Sequence, residues 1–242
     1  MMKNKQTGWI FLSFIVFVFT TGCSSLPTTM PKKGEPLKII NDFSTYKKLI
    51  RLDSNQQMRS IQPMLPNIIL DLRYASENNF MHRRMYPANL NYTFLRLPII
   101  KALALAEIEL NKMGYGLKVF DAYRPYAVTK KFWELVHDEK YVANPKKGSG
   151  HNRGTTVDLT LVNLKTKEEL EMGTNFDNFT DTAHQSFKAL PSQVIRNRAL
   201  LKNSMESVGF KALETEWWHY SWISSEKFDV LNLRFEDLLN SR

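Results

Sequence analysis

The chain has 242 residues, 43% of them hydrophobic and 24% charged, an ordinary globular composition with enough length for one domain and a substantial core. Its formal net charge is +9, but the cations fall in scattered pairs such as Lys47-Lys48 and Lys130-Lys131. With no long basic run, no nucleic-acid partner is expected, and an anionic envelope surface accounts for the charge at least as well.

Residues 1–22 read as a leader. Lys3 and Lys5 precede an apolar run from Trp9 to Phe19 that is short for a membrane span. The run ends in Thr20-Thr21-Gly22-Cys23-Ser24, which resembles the lipobox of bacterial lipoproteins, with Thr20 where Leu is usual. That resemblance implies lipidation at Cys23 and a place in the bacterial cell envelope, on the outer membrane facing the periplasm in a Gram-negative cell. The plainer alternative is a secretory signal with an incidental cysteine. Cys23 is the single cysteine, so no intrachain disulfide is available. The stretch 23–36 contains three prolines and a glycine and reads as a tether. Residues 37–242 read as one domain.

Alternation of Ile68, Leu70, Leu72 and Tyr74 predicts a strand over 67–74. A loop rich in Asn, Arg and Met follows over 78–91. Leu103, Ala106, Leu110 and Met113 stand at helical spacing, so 98–113 reads as a helix closed by Gly114. Residues 117–122 read as a short strand leading into Tyr123-Arg124-Pro125, with a new helix after Pro125 through Phe132, Trp133, Leu135 and Val136. Residues 156–162 alternate, placing Val157, Leu159 and Leu161 on one face and Thr156, Asp158 and Thr160 on the other, toward a cleft. His151 then belongs to the preceding loop. Residues 171–181 read as loop, 191–208 as a helix capped by Gly209, and 215–222 as a strand. Glu216 and His219 can point to one place only through a bulge or turn. The tail, with Phe228, Leu231, Phe235, Leu238 and Leu239, reads as helical. Together these elements suggest an α+β fold with a small antiparallel sheet flanked by helices.

The chemistry concentrates in two segments. Ser149-Gly150-His151-Asn152-Arg153-Gly154-Thr155-Thr156-Val157-Asp158 supplies an imidazole and a carboxylate seven residues apart, and Glu216-Trp217-Trp218-His219 supplies another of each. Two histidines and an aspartate are donors of the kind a catalytic zinc takes, leaving a position for water. Glu216 then remains to accept a proton from that water, and Arg124 to stabilise an oxyanion. A lone pairing among five histidines would mean little, and Arg124 alone reads as a surface arginine packed on Tyr123 and Tyr126. The coincidence of the three features is what points to a zinc peptidase.

These residues resemble the D-alanyl-D-alanine dipeptidases, within the zinc D-Ala-D-Ala peptidases that share a fold with the hedgehog signalling domain. The family's Ser-x-His-x-x-Gly-x-Ala-x-Asp motif falls on Ser149, His151, Gly154 and Asp158, with Thr156 replacing Ala. Its Glu-x-Trp-His motif falls on Glu216, Trp218 and His219, and its Tyr-Arg-Pro element on Tyr123-Arg124-Pro125, with Ala122 where Gly is common. Asp71-Leu72-Arg73-Tyr74-Ala75 and Met172-Gly173-Thr174-Asn175-Phe176-Asp177 are similar to two further elements of the dipeptidase branch. The resemblance implies one zinc on His151, Asp158 and His219, Glu216 as general base, Arg124 as transition-state stabiliser, and hydrolysis of D-Ala-D-Ala or related wall peptides. It also implies that Asp177 pairs with a substrate ammonium, the alternative being a solvated loop acid. Ser149 either binds the substrate carboxylate or shapes the loop. Two other readings stand beside this one: a carboxypeptidase or endopeptidase on longer wall peptides, and a wall-binding lipoprotein without catalysis.

Overall fold

The computed structural model describes residues 36–240, so the expected leader, Cys23 and all of the tether except Pro36 lie outside the described residues. In chain order, strand β1 (Ile39–Ile40) leads into helix α1 (Phe43–Leu52). There the Asp42 carboxylate accepts the Thr45 N–H at 2.8 Å, satisfying one donor that a helix start leaves unpaired. Strands β2 (Met58–Ser60), β3 (Ile69–Leu70) and β4 (Phe94–Arg96) precede α2 (Leu97–Lys112), which carries Pro98 in its first turn. Then come β5 (Tyr115–Asp121), α3 (Tyr126–Val136), α4 (Gly150–Arg153), β6 (Thr156–Asn163), α5 (Ser192–Glu206), β7 (Phe210–Ala212), β8 (His219–Trp222), β9 (Val230–Leu231) and α6 (Phe235–Leu239).

The main sheet runs β3-β5-β6-β8-β7, with β1 beside β9 and β2 beside β4 as separate pairs. The fold is α+β as expected, but the sheet is not purely antiparallel. β3 pairs with β5 in parallel, because the connection between them passes through α2 and returns the chain in the same direction; β1 and β9 also run parallel. Among the described residues no helix is long and apolar enough to cross a membrane.

Several expected elements change. The strand over 67–74 shortens to Ile69–Leu70, since Asp71 N–H makes the last bond to the Val119 carbonyl and the chain then winds into a 3₁₀ turn at Arg73–Ala75. Alternating burial served a turn here as well as a strand. The strand over 215–222 begins only at His219, because Glu216 opens a turn in which its carbonyl accepts the His219 N–H at 3.4 Å. In the tail only Phe235–Leu239 is helical; Val230–Leu231 pairs with β1 instead. Leu135, counted with the apolar side of α3, is exposed. β6 is buried on both faces from Thr156 to Val162. Its polar face is covered by the site itself, where Asp158 lines a cleft and Thr156 shares a hydrogen bond with Ser221 at 2.8 Å.

Two buried arginines act as internal staples with carbonyl partners. Arg96 donates to the carbonyls of Gln56, Arg153 (2.8 Å) and Asp229 (2.9 Å), joining three remote segments. Arg198 of α5 donates to Met172 (2.7 Å), His184 (3.1 Å) and Thr182 (3.0 Å), pinning both ends of the loop that carries Asp177.

Glu107 on α2 is 3% exposed, its Oε1 has no hydrogen-bond partner, and burial raises its pKa to about 7. The folded state therefore holds this proton more tightly than the unfolded one, whose carboxyl titrates at the ordinary 4.5. Stability is fully present below that value and is lost as pH rises toward 7. Glu107→Gln should leave the unfolding free energy nearly unchanged at pH 4.5 and raise it by roughly 2–3 kcal/mol at pH 8. Denaturant titrations at the two pH values check this; an equal effect at both would contradict it.

Candidate metal centre and its cleft

The one-turn helix α4 places His151, the first of three candidate ligands. Sequence reading puts His151 in a loop; the structure winds it into α4, because Ser149 and Asn152 form a reciprocal cap. Ser149 Oγ accepts the His151 N–H at 3.1 Å, and Asn152 Oδ1 accepts the Ser149 N–H at 3.0 Å. Gly150 is required here, since a Cβ would fall 1.9 Å from Thr156 Oγ1, and Gly154 ends the turn at φ 68°. The Asn152 amide also donates to the Arg124 carbonyl (2.7 Å) and to Thr129 Oγ1 (2.9 Å), fastening α4 to the Tyr-Arg-Pro turn.

His151 Nδ1 lies 2.8 Å from the Ala122 carbonyl. A carbonyl can only accept, so Nδ1 carries the proton and Nε2 presents a lone pair. That Nε2 is buried without a hydrogen-bond partner, 3.3 Å from Asp158 Oδ2. Asp158 on β6 stands opposite His219 on β8, and His219 Nδ1 comes within 2.9 Å of Asp158 Oδ1, an oxygen that likewise lacks a hydrogen-bond partner. His219 Nε2 meets Ser221 Oγ at 3.2 Å. One ligand atom from each of the three residues lies within 4.8 Å of the others. Three lone-pair atoms packed together in a buried place, with the other ring nitrogens committed elsewhere, fit a divalent cation, and two nitrogens with one carboxylate are a donor set that zinc takes. Burial opposes ionisation of Asp158, but the His151 and His219 imidazoles outweigh it and hold its carboxyl below the usual range.

Around this centre the structure gathers the other expected residues. Glu216 Oε2 lies 3.6 Å from His219 Nδ1, brought back by the turn between them. Burial first, and then the Asp158 and Asp177 carboxylates, push Glu216 well above the ordinary carboxyl range. Arg124 is not the surface arginine its tripeptide suggests. It is 7% exposed, lies over the rings of Phe132 (4.6 Å) and Tyr74 (5.2 Å), and its Nη2 is 3.9 Å from Asp158 Oδ2. Asp177 is not a free loop acid either: Oδ1 accepts the Tyr74 hydroxyl at 3.0 Å and Oδ2 the Phe80 N–H at 3.3 Å. Burial, reinforced by Asp158, raises it to about 7 against those two donors. All of these side chains, with Ser149, line one cleft of about 240 Å³.

Two contributors escape sequence reading. Asp121, fully buried at the end of β5, accepts from Arg124 Nε (2.9 Å) and Nη2 (2.6 Å) and from the Tyr86 hydroxyl (2.7 Å), and so fixes the guanidinium. Its signal was an acid closing an apolar strand three residues before an arginine. Tyr74 supplies a hydroxyl to Asp177; the family-like element Asp71–Ala75 includes it, but nothing in that pattern assigns it this role.

A family model described as D-ala-D-ala dipeptidase matches residues 54–238. The D-alanyl-D-alanine dipeptidase of Enterococcus faecalis is 33% identical over 181 residues, 67% of this chain and 90% of that protein. That of Escherichia coli is 29% identical over 188 residues, 76% and 94% of the respective chains. A solved LD-carboxypeptidase structure aligns at a TM-score of 0.35 and 19% identity, over 59% of this chain and 66% of that one, too distant to argue from.

If these three atoms hold a cation, zinc at 1,000 times its dissociation constant should stabilise the folded chain by about 4 kcal/mol. Asp158→Asn should lose most of that gain. Thermal unfolding with and without zinc provides the comparison, and equal stabilisation of both proteins would refute the centre.

Proposed function

The chain belongs to the D-Ala-D-Ala dipeptidase family of peptidases, and from that premise we propose that it hydrolyses the dipeptide D-Ala-D-Ala to two D-alanines as a zinc enzyme of cell-wall peptide metabolism. The observation that carries the reading is the convergence of His151, Asp158 and His219 in a small cleft that the Asp177 carboxylate also lines. Zinc bound by those three residues would supply Lewis acidity toward a carbonyl and a water activated near neutral pH. Glu216 takes the proton of the attacking water and returns it to the leaving amine; a carboxyl lifted by burial is suited to both directions. Arg124, held by Asp121 on one side, presents its cleft-facing edge to the oxygen that gains charge at the tetrahedral stage. Asp177 receives the substrate ammonium, an interaction that a blocked or neutral amine cannot replace without leaving a part-buried carboxylate facing no opposite charge. Ser149 Oγ already accepts the His151 N–H, so its own hydroxyl proton is left to donate to the substrate carboxylate.

The proposal extends to location. Lipidation of Cys23 after removal of the leader 1–22 would hold this domain at the envelope, where D-alanyl peptides of the wall are at hand.

The test is release of free D-alanine from D-Ala-D-Ala by the zinc-loaded chain. Glu216→Gln should lower kcat by about 10²–10⁴ with its zinc content unchanged. Arg124→Ala should lower kcat by about 10²–10³. Absence of release by the folded, zinc-loaded parent would overturn the dipeptidase reading.

A further inference from the structure

We propose that the stacked rings of Tyr141 and Phe179 form a gate that closes the ammonium end of the cleft and limits it to peptides with a free amine two residues long. This inference deepens the dipeptidase reading and rests on it. Electrostatics at Asp177 rewards a free ammonium, but it does not by itself keep a longer chain out; a steric stop does.

The residues sit where such a stop must be. Phe80 donates its backbone N–H to Asp177 Oδ2, so it marks the ammonium end. The Phe179 ring packs against Phe80 with centroids 5.2 Å apart, and Tyr141 stacks on Phe179 at 5.0 Å with planes 23° from parallel. Tyr141, Phe179, Phe80 and Asp177 all line the same cleft. The two rings come from different chain segments, Tyr141 from the stretch between α3 and α4 and Phe179 from the loop that Arg198 pins at both ends. Beyond the stack, these segments are joined by the Lys140–Asp181 pair at 3.6 Å, whose side chains are 43% and 78% exposed and therefore hold weakly. Flat rings thus do most of the closing. A peptide extended past its amine would have to part them.

The experiment compares kcat/KM for D-Ala-D-Ala with that for an N-terminally extended tripeptide ending in D-Ala-D-Ala, in zinc-loaded parent, Phe179→Ala, Tyr141→Ala and Asp177→Asn proteins. The parent should favour the dipeptide by at least about 10³-fold, the scale of rejection when a buried polar group is left unpaired. Either ring deletion should narrow that ratio at least about tenfold through a gain on the tripeptide, as expected when a steric stop is removed. Asp177→Asn should narrow it only through loss on the dipeptide. Both rings are only partly buried and come from different segments, so Tyr141→Ala reports even if Phe179→Ala fails to fold. Folded ring variants that keep the parent's ratio would overturn the gate while leaving the dipeptidase reading intact. A parent that splits both substrates equally would also overturn the gate. A parent that splits neither would bring down the reading and the gate together.

Discussion

Everything in the cleft depends on one register, the pairing of Asp158 on β6 with His219 on β8. The period of a strand is two, so a slip by one residue would turn either side chain to the other face and dissolve the centre. β8 has only four residues, and its position is held by more than its own ladder. β7 pairs with it on the far side, the Leu159 N–H reaches back to the Trp218 carbonyl at 3.1 Å, and the Trp222 N–H reaches the Thr155 carbonyl at 2.8 Å. The same tight entry into β8 folds Glu216 back over His219. The positions of His219 and Glu216 are therefore set by one local decision of the chain.

The cleft is also a place of unbalanced charge. Asp121, Asp158, Asp177 and Glu216 come together with Arg124 as the guanidinium among them. In a low-dielectric surround such a collection of acids is costly unless protons or cations offset it. Raised proton affinities at Glu216 and Asp177 are one answer. A divalent ion beside Asp158 and an ammonium beside Asp177 would provide the other answer. The distribution of acids thus matches the charges of the proposed substrate complex.

How much of this was legible in the sequence follows from the range of each signal. The two long helices and β5 and β6 announced themselves by periodicity, because their packing repeats over many residues. Short pieces did not. A turn at Arg73–Ala75 can imitate alternation over a few residues, and the β1–β9 pair joins segments 191 residues apart that no local pattern relates. In the site, the motif residues were readable as residue types at given spacings, and the need for a turn between Glu216 and His219 followed from geometry alone. Asp121 was not readable, since its importance lies in burial and in what converges on it, and both are properties of the folded chain.

The β1–β9 pair has one more consequence. It brings the first and last strands of the domain side by side, and just before β1 the Leu37 side chain lies 3.3 Å from where a Cβ on Gly148 would sit. Gly148 belongs to the wall of the cleft. The described chain is thus entered, at Leu37, against a wall of the cleft. Whatever holds the protein by that end also aims it. A short leash would keep the entrance close to the surface it is fastened to, and a bulky domain joined there would shade the entrance before it touched any residue inside.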